Sequence, residues 1–215
     1  MLICLIEPFN SYFAVIPYLY KPFAMILFSG EKVPSKFFFI GRNFEKNELD
    51  VKNFRKILSP TAELYNTLKY IKEQIPNIYE IESDKRKVWI KLRQLPAPLP
   101  ISMVGGGLRE TIQSLLIASS IIGGVLLIEE PENNLHPSLY EVVAKRLVKV
   151  AQQDKTQVFL STHSLEFAEK LLRIGKELVN VIRLYRVGDE LAYQVLSHGE
   201  ALEELDELHM DLRGP

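Results

Sequence analysis

Residues 123 to 138 read GGVLLIEEPENNLHPS. The apolar run Val125, Leu126, Leu127 and Ile128 meets Glu129 and Glu130 without a break, with Glu132 just past a proline. Packing alone gives a buried strand no reason to end in adjoining carboxylates. In an open parallel sheet, ligands sit beyond the carboxyl ends of the strands, and successive strand residues point to opposite faces. Two acids in succession at such an end can divide two tasks, one facing a metal ion and the other a water molecule. An isolated Glu-Glu pair is more often a solvated turn, so its meaning depends on its company. The segment QVFLSTHS places Thr162, His163 and Ser164 at the end of a second candidate strand, where an imidazole can donate a hydrogen bond to an anion. The segment MVGGGLRE sets Gly105, Gly106 and Gly107 immediately before a candidate helix. Glycine lets the backbone approach a ligand closely, and the amides of a helix start form an anion site. Taken singly, the histidine reads as a cap or packing residue and the glycines as a flexible turn.

The elements that must position these residues follow from periodicity. After the proline-rich LPAPLP, the helix LRETIQSLLIASS, strand VLLIE, helix PSLYEVVAKRLVKVAQQ, strand QVFLST, helix SLEFAEKLLRI and strand VNVIRLY alternate. That order argues for an α/β fold with a mostly parallel sheet covered by helices, and the continuously apolar strands suit a sheet buried on both faces. Pro137 suits a first helical turn, Ser164 an N-cap and Gly175 a helix C-terminus. Upstream, Leu64, Leu68, Ile71 and Ile75 predict a helix that Pro76 closes, and NIYEIE and VWIKLR predict an antiparallel pair. The segment SKFFFIG leads into the charged stretch RNFEKNELDVKNFRK. LPAPLP reads as a stiff connector and an internal boundary, dividing an N-terminal β-rich and helical portion, residues 1–99, from a core of residues 100–215. The acidic GEALEELDELHMDLRGP predicts a surface helix running to the terminus.

Composition narrows the partners. The 215 residues carry 26 Lys and Arg against 27 Asp and Glu, a net charge of -1, so no global field draws in nucleic acid or anionic lipid. Cys4 has no second cysteine to pair with, and the 4 histidines show no structural zinc spacing. A reducing, cytoplasmic setting is expected. The first 28 residues are apolar and aromatic, but Glu7, Lys21 and the prolines Pro8, Pro17 and Pro22 interrupt them. No run reaches the roughly 18 to 20 residues that a spanning helix needs; short buried strands joined by turns are expected, with no membrane contact and an antiparallel N-terminal portion.

The three segments in this order resemble the second half of an ABC-class ATPase: a signature loop at VGGGLR, a Walker B strand at VLLIEE, a D-loop at PENNLH and a switch histidine in STHS. The likeness is nearest to the soluble, AAA-annotated branch akin to overcoming-lysogenisation-defect and chromosome-maintenance ATPases, in which EEPE followed by LHP is the usual form. It covers residues 100 to 187 well and 57 to 99 fairly, and the closing DLRG also looks like this branch. It implies ATP binding and hydrolysis with Mg2+. Glu129 would match the acid that holds the metal, Glu130 the acid that deprotonates the attacking water, and His163 the contact to the γ-phosphate. Gly105, Gly106, Gly107 and Arg109 would match the signature loop that reaches the partner's nucleotide across a head-to-tail dimer, with Asn133, Asn134 and His136 in the D-loop at the same interface. The implied partner is a second copy or another ATPase subunit, with nucleic acid met only through a wider complex.

One part of the pattern is missing. The motif G-x-x-x-x-G-K-[ST], whose amides and lysine hold the phosphates, is absent: Gly175-Lys176 is the lone glycine-lysine pair, and Glu177 follows it. The N-terminal 50 residues, where relatives carry this loop, do not contain it. Either the chain is a piece of a longer product, or another polypeptide supplies the loop, or turnover has been lost and the chain is an interaction module that keeps the ATPase fold. Gly105 also replaces the serine usual in the signature. A nuclease would need a further metal-binding domain, for which the stretch after His163 is too short.

Overall fold

The computed structural model describes residues 2–6, 13–17, 24–28, 37–40, 62–83, 88–120, 123–154 and 156–212. Strands β1 (Leu2–Ile6), β2 (Phe13–Pro17), β3 (Ala24–Phe28) and β4 (Phe37–Ile40) come first, and β2 pairs antiparallel with β3. Short strands therefore do occupy the apolar N-terminal stretch. The charged stretch after it lies outside the described residues. Helix α1 (Ala62–Gln74) precedes the antiparallel pair β5 (Ile78–Ser83) and β6 (Val88–Leu92). The end of the proline segment joins a sheet: Leu99–Pro100 forms β7, which pairs with Trp89 and Ile90 of β6. Prolines lack the amide for a central strand but are tolerated at a sheet edge. One apolar cluster runs across this point, joining Ile71, Ile78 and Ile90 to Ile112, Leu115, Leu116 and Val142.

Beyond it lie α2 (Gly106–Ser120), β8 (Val125–Glu129), a 3-10 turn (Pro137–Leu139) leading into α3 (Tyr140–Asp154), β9 (Gln157–Thr162), α4 (Leu165–Gly175), β10 (Val179–Val187), β11 (Glu190–Leu196) and α5 (His198–Asp206). The main sheet has the order β11-β10-β1-β9-β8-β4. β4, β8 and β9 are parallel neighbours, while β1 runs antiparallel to both β9 and β10. The strands β4, β8, β9 and β10 thus share one direction, as the alternation of helices and strands requires. β1 is inserted among them in reverse, so the sheet is mixed.

Leu126 and Ile128 of β8, Val158 and Leu160 of β9, and Val179 and Val181 of β10 face Val143, Leu147, Phe167, Leu171 and Leu172 of α3 and α4 in a single core. Val125, Leu127 and Phe159, whose strand parity puts them on the other face, are buried as well. Burial on both faces is why these strands show no polar alternation. A second tie joins α1 to α3: the Tyr70 hydroxyl donates to the Val142 carbonyl at 2.8 Å, and the Arg146 guanidinium donates to the Thr67 hydroxyl at 2.9 Å. Burial pushes the Tyr70 phenol up to about 12, with the Arg146 charge opposing the shift and Glu141 adding to it.

Three local features add to or alter the sequence reading. The hairpin β10–β11, turning at Gly188 with φ 62, was not evident in VGDELAYQVL. The last helix stops at Asp206 rather than running on, because Leu212 folds back into the core. Its start is fixed by a capping box in which the Ser197 hydroxyl accepts from Glu200 N and the Glu200 carboxylate accepts from Ser197 N at 2.8 Å. Gly175 ends α4 in ordinary right-handed geometry; the left-handed residue is Lys176, with φ 50. Glycine is required at 175 for space, since a Cβ there would meet Val179 Cγ2 at 2.2 Å.

Candidate functional site

The strand β8 ends where it does because Glu130 cannot continue it. Its φ is 47, a left-handed value that a non-glycine residue adopts at a cost of about 1 to 3 kcal/mol. The two acids are therefore separated by a sharp turn of the chain rather than by strand alternation. Glu129 remains on the strand, opposite Ser161 of β9, at intermediate exposure. The last ladder bond, Glu130 N–H to the Ser161 carbonyl at 2.9 Å, pins the turn to β9.

Glu130 is buried, 8% exposed, and each of its oxygens faces a partner. Oε2 accepts from Asn133 Nδ2 at 2.7 Å, and Oε1 lies 3.6 Å from His163 Nε2. His163 is 59% exposed. At that separation the imidazole and the carboxylate face each other without a direct hydrogen bond. The adjacency of β8 and β9 thus brings the acid and the histidine together at one mouth, one of them shielded and the other open to solvent.

A third acid completes the turn. Glu132, given no task above, is also buried: its Oε1 accepts from the Thr162 hydroxyl at 2.5 Å and from the His163 amide at 3.1 Å. Ser164 N–H donates to the Thr162 hydroxyl at 3.0 Å, and the Ser164 side chain caps α4 by accepting from Phe167 N at 3.1 Å. The N-cap assigned to Ser164 is the one observed. The available signal for Glu132 was the spacing of a third carboxylate opposite a threonine-histidine pair, which says little until the strands are known to be neighbours.

The glycine segment also meets this turn. α2 begins at Gly106, so two of the three glycines lie inside the helix rather than ahead of it. A Cβ on Gly107 would stand 2.1 Å from the Asn134 carbonyl oxygen, whereas one on Gly105 would meet nothing within 4 Å. Asn134, with φ 59, also donates from Nδ2 to Glu110 at 3.1 Å. Arg109 lies in the first turns of α2, its amide bonded to the Gly105 carbonyl at 3.1 Å. His136 is engaged as the cap of the 3-10 turn, its Nδ1 accepting from Ser138 N at 3.3 Å and lying 2.9 Å from the Ser138 hydroxyl. Glu129, Glu130 and His163 thus gather at the strand ends, Asn133 is turned onto Glu130, and Gly107 and Asn134 form a separate contact.

No group of three or more His, Cys, Asp or Glu side chains among the described residues is arranged to hold a metal ion. Glu129 offers hard carboxylate oxygens at the mouth, which suits Mg2+, an ion that takes one or two carboxylates and completes its shell with water and phosphate oxygens. No helix among the described residues is long and apolar enough to cross a membrane.

The family model of the AAA ATPase domain matches residues 42–168, more than half of the chain. The chain belongs to that family. This AAA ATPase-domain chain is also 34% identical, over 114 residues, to an uncharacterized protein of Methanocaldococcus jannaschii, covering 52% of the chain and 100% of the relative. It is 26% identical over 132 residues to an ATP/GTP phosphatase of Helicobacter pylori, covering 58% of the chain but 36% of that longer protein. A solved structure from work on the ATP-driven dimerization and DNA-stimulated activation of SMC ATPases superposes with a TM-score of 0.52 at 12% identity, over 74% of the chain and 98% of that structure. At such identity the likeness speaks to fold alone: an α/β fold like that of the SMC ATPase, here with added antiparallel strands.

Proposed function

We propose that this AAA ATPase-domain chain contributes the hydrolytic face of a nucleoside triphosphate site, with ATP as substrate and Mg2+ as cofactor. The observation that carries the reading is the meeting of buried Glu130 and exposed His163, 3.6 Å apart, at the ends of two parallel strands. Water attacks the γ-phosphorus in line and gives its proton to Glu130, while the bond to the bridging oxygen breaks, leaving ADP and inorganic phosphate. His163 donates from Nε2 to a γ-phosphate oxygen and steadies the charge there. Asn133 holds the Glu130 carboxylate in its orientation. Mg2+, held on Glu129, would neutralise phosphate charge.

The remaining phosphate contacts come from another polypeptide, and the glycine-led start of α2, with Arg109, serves a partner's nucleotide in a dimer. ATP-driven dimerization belongs by description to the SMC ATPases; for this chain it is part of the proposal. One specific observation favours a second reading, a non-catalytic module on the same fold: the sequence carries no G-x-x-x-x-G-K-[ST].

Calorimetry with magnesium-ATP, run beside a turnover assay on the chain and on Glu130→Gln, separates the two. The hydrolytic reading expects both forms to bind, with turnover lost and dimers accumulating in the variant. No binding by either form supports the module.

A further inference from the structure

We propose that Glu132 is a positioning residue whose carboxylate fixes the backbone of His163, so that the imidazole faces Glu130. The catalytic consequence rests on the hydrolytic reading above, but the clamp itself does not. Past the final ladder bond to Ser161, the turn after β8 and the turn after β9 are free to diverge, since each leads into its own helix. Glu132 joins them: a single oxygen receives both the Thr162 hydroxyl at 2.5 Å and the His163 amide at 3.1 Å. Thr162 in turn receives Ser164 N–H, so the clamp continues into the cap of α4. Charge-assisted bonds of this kind are shorter and roughly twice as strong as neutral ones.

The residue is also an expensive choice for a mere filler. Glu132 is 8% exposed, and its second oxygen, Oε2, is buried with no hydrogen-bond partner. A carboxylate oxygen in that condition carries a desolvation penalty that an apolar side chain of similar size would avoid. A local rule broken at the meeting point of the acid and the histidine marks a site kept for geometry. Because only Oε1 is engaged, glutamine can reproduce both accepted bonds and place its amide nitrogen where Oε2 stands. That separates a clamp from a charge.

The test compares the full chain with Glu132→Ala and Glu132→Gln, using two readouts. Amide hydrogen exchange followed by NMR should show the His163 N–H protected in the wild type and in Glu132→Gln. In Glu132→Ala it should exchange about 10-fold faster or more, with the protection of Leu160 unchanged. With magnesium-ATP, kcat should fall about 10- to 100-fold in Glu132→Ala at nearly constant KM, and return in Glu132→Gln. Should Glu132→Ala not fold, Thr162→Val removes one of the two donors with little change of shape, and the same pattern is expected at smaller amplitude. Unchanged exchange at His163 without the carboxylate overturns the clamp, and so does a Glu132→Gln chain as impaired as Glu132→Ala. A wild-type chain that does not bind magnesium-ATP defeats the hydrolytic reading alone, and exchange then decides the clamp by itself.

Discussion

The substitution Gly107→Ala asks whether the start of α2 and the turn carrying Glu130 form one rigid unit. The added Cβ would lie 2.1 Å from the Asn134 carbonyl oxygen, 3.1 Å from its carbon and 3.5 Å from Leu135 Cα. Ordinary carbon-to-oxygen contact is about 3.3 to 3.6 Å, so the two backbones must part by more than about 1 Å. Neither can swing away, because the obstacle is main chain and Leu135 is buried beneath it. Overpacking of this kind costs about 1 to 3 kcal/mol, and alanine's better helix propensity returns at most about 1 kcal/mol. A net loss of about 1 to 2 kcal/mol is expected in urea denaturation followed by far-UV circular dichroism. Gly105→Ala, with nothing within 4 Å of its Cβ, is the control and should stay within about 0.5 kcal/mol of wild type. Any turnover should suffer more than stability does, since the displaced turn carries Asn133 and Glu130. Equal stability of the two alanine variants would refute the packing of α2 against Asn134 and, with it, the link between glycine segment and acid turn.

His163→Ala should leave stability within about 0.5 kcal/mol by thermal denaturation, because the side chain is 59% exposed, while lowering any turnover; a large loss of stability would mark a packing histidine. Lys176→Gly should stabilise the chain by about 1 kcal/mol in the same denaturation assay, since Lys176 is exposed and holds φ 50 and ψ -138, a conformation suited to glycine. Arg173 on α4 binds Asp206 on α5 through a 2.5 Å contact, and this bond holds the Asp206 carboxyl below the usual aspartate range. A depressed carboxyl stabilises the fold above its unfolded pKa and loses that contribution as pH falls through the folded one. Asp206→Asn should therefore be less stable than wild type at neutral pH, with the gap closing in acid below the usual aspartate range; a gap that stays unchanged well below that range would count against the tether.

Much of this was legible because burial leaves a plain mark on sequence. The runs VLLIE and QVFLST are apolar on both faces, and their shared direction follows from the helices between them, so the gathering of Glu129, Glu130 and His163 could be expected before any coordinates. The reversed β1 could not, since a short apolar segment carries no record of its strand partner. The left-handed turn at Glu130 and the burial of Glu132 were equally hidden: each depends on which residue of β9 stands opposite, a matter of register rather than composition. Gly175 closes α4 as its residue type suggested, but the reason was hidden in the same way. A glycine at a helix end has two explanations, conformation and space, and only the position of Val179 selects the second.

The central claim is that the Glu130 and His163 mouth receives the phosphate end of a nucleotide. It is tested most directly by following the His163 imidazole resonances while magnesium-ATP is titrated into the Glu130→Gln chain, in which hydrolysis cannot deplete the ligand. The account predicts a saturable shift at His163 that ATP produces and adenosine does not. Saturable binding seen at other resonances while His163 stays still, or an equal response to adenosine, would contradict it.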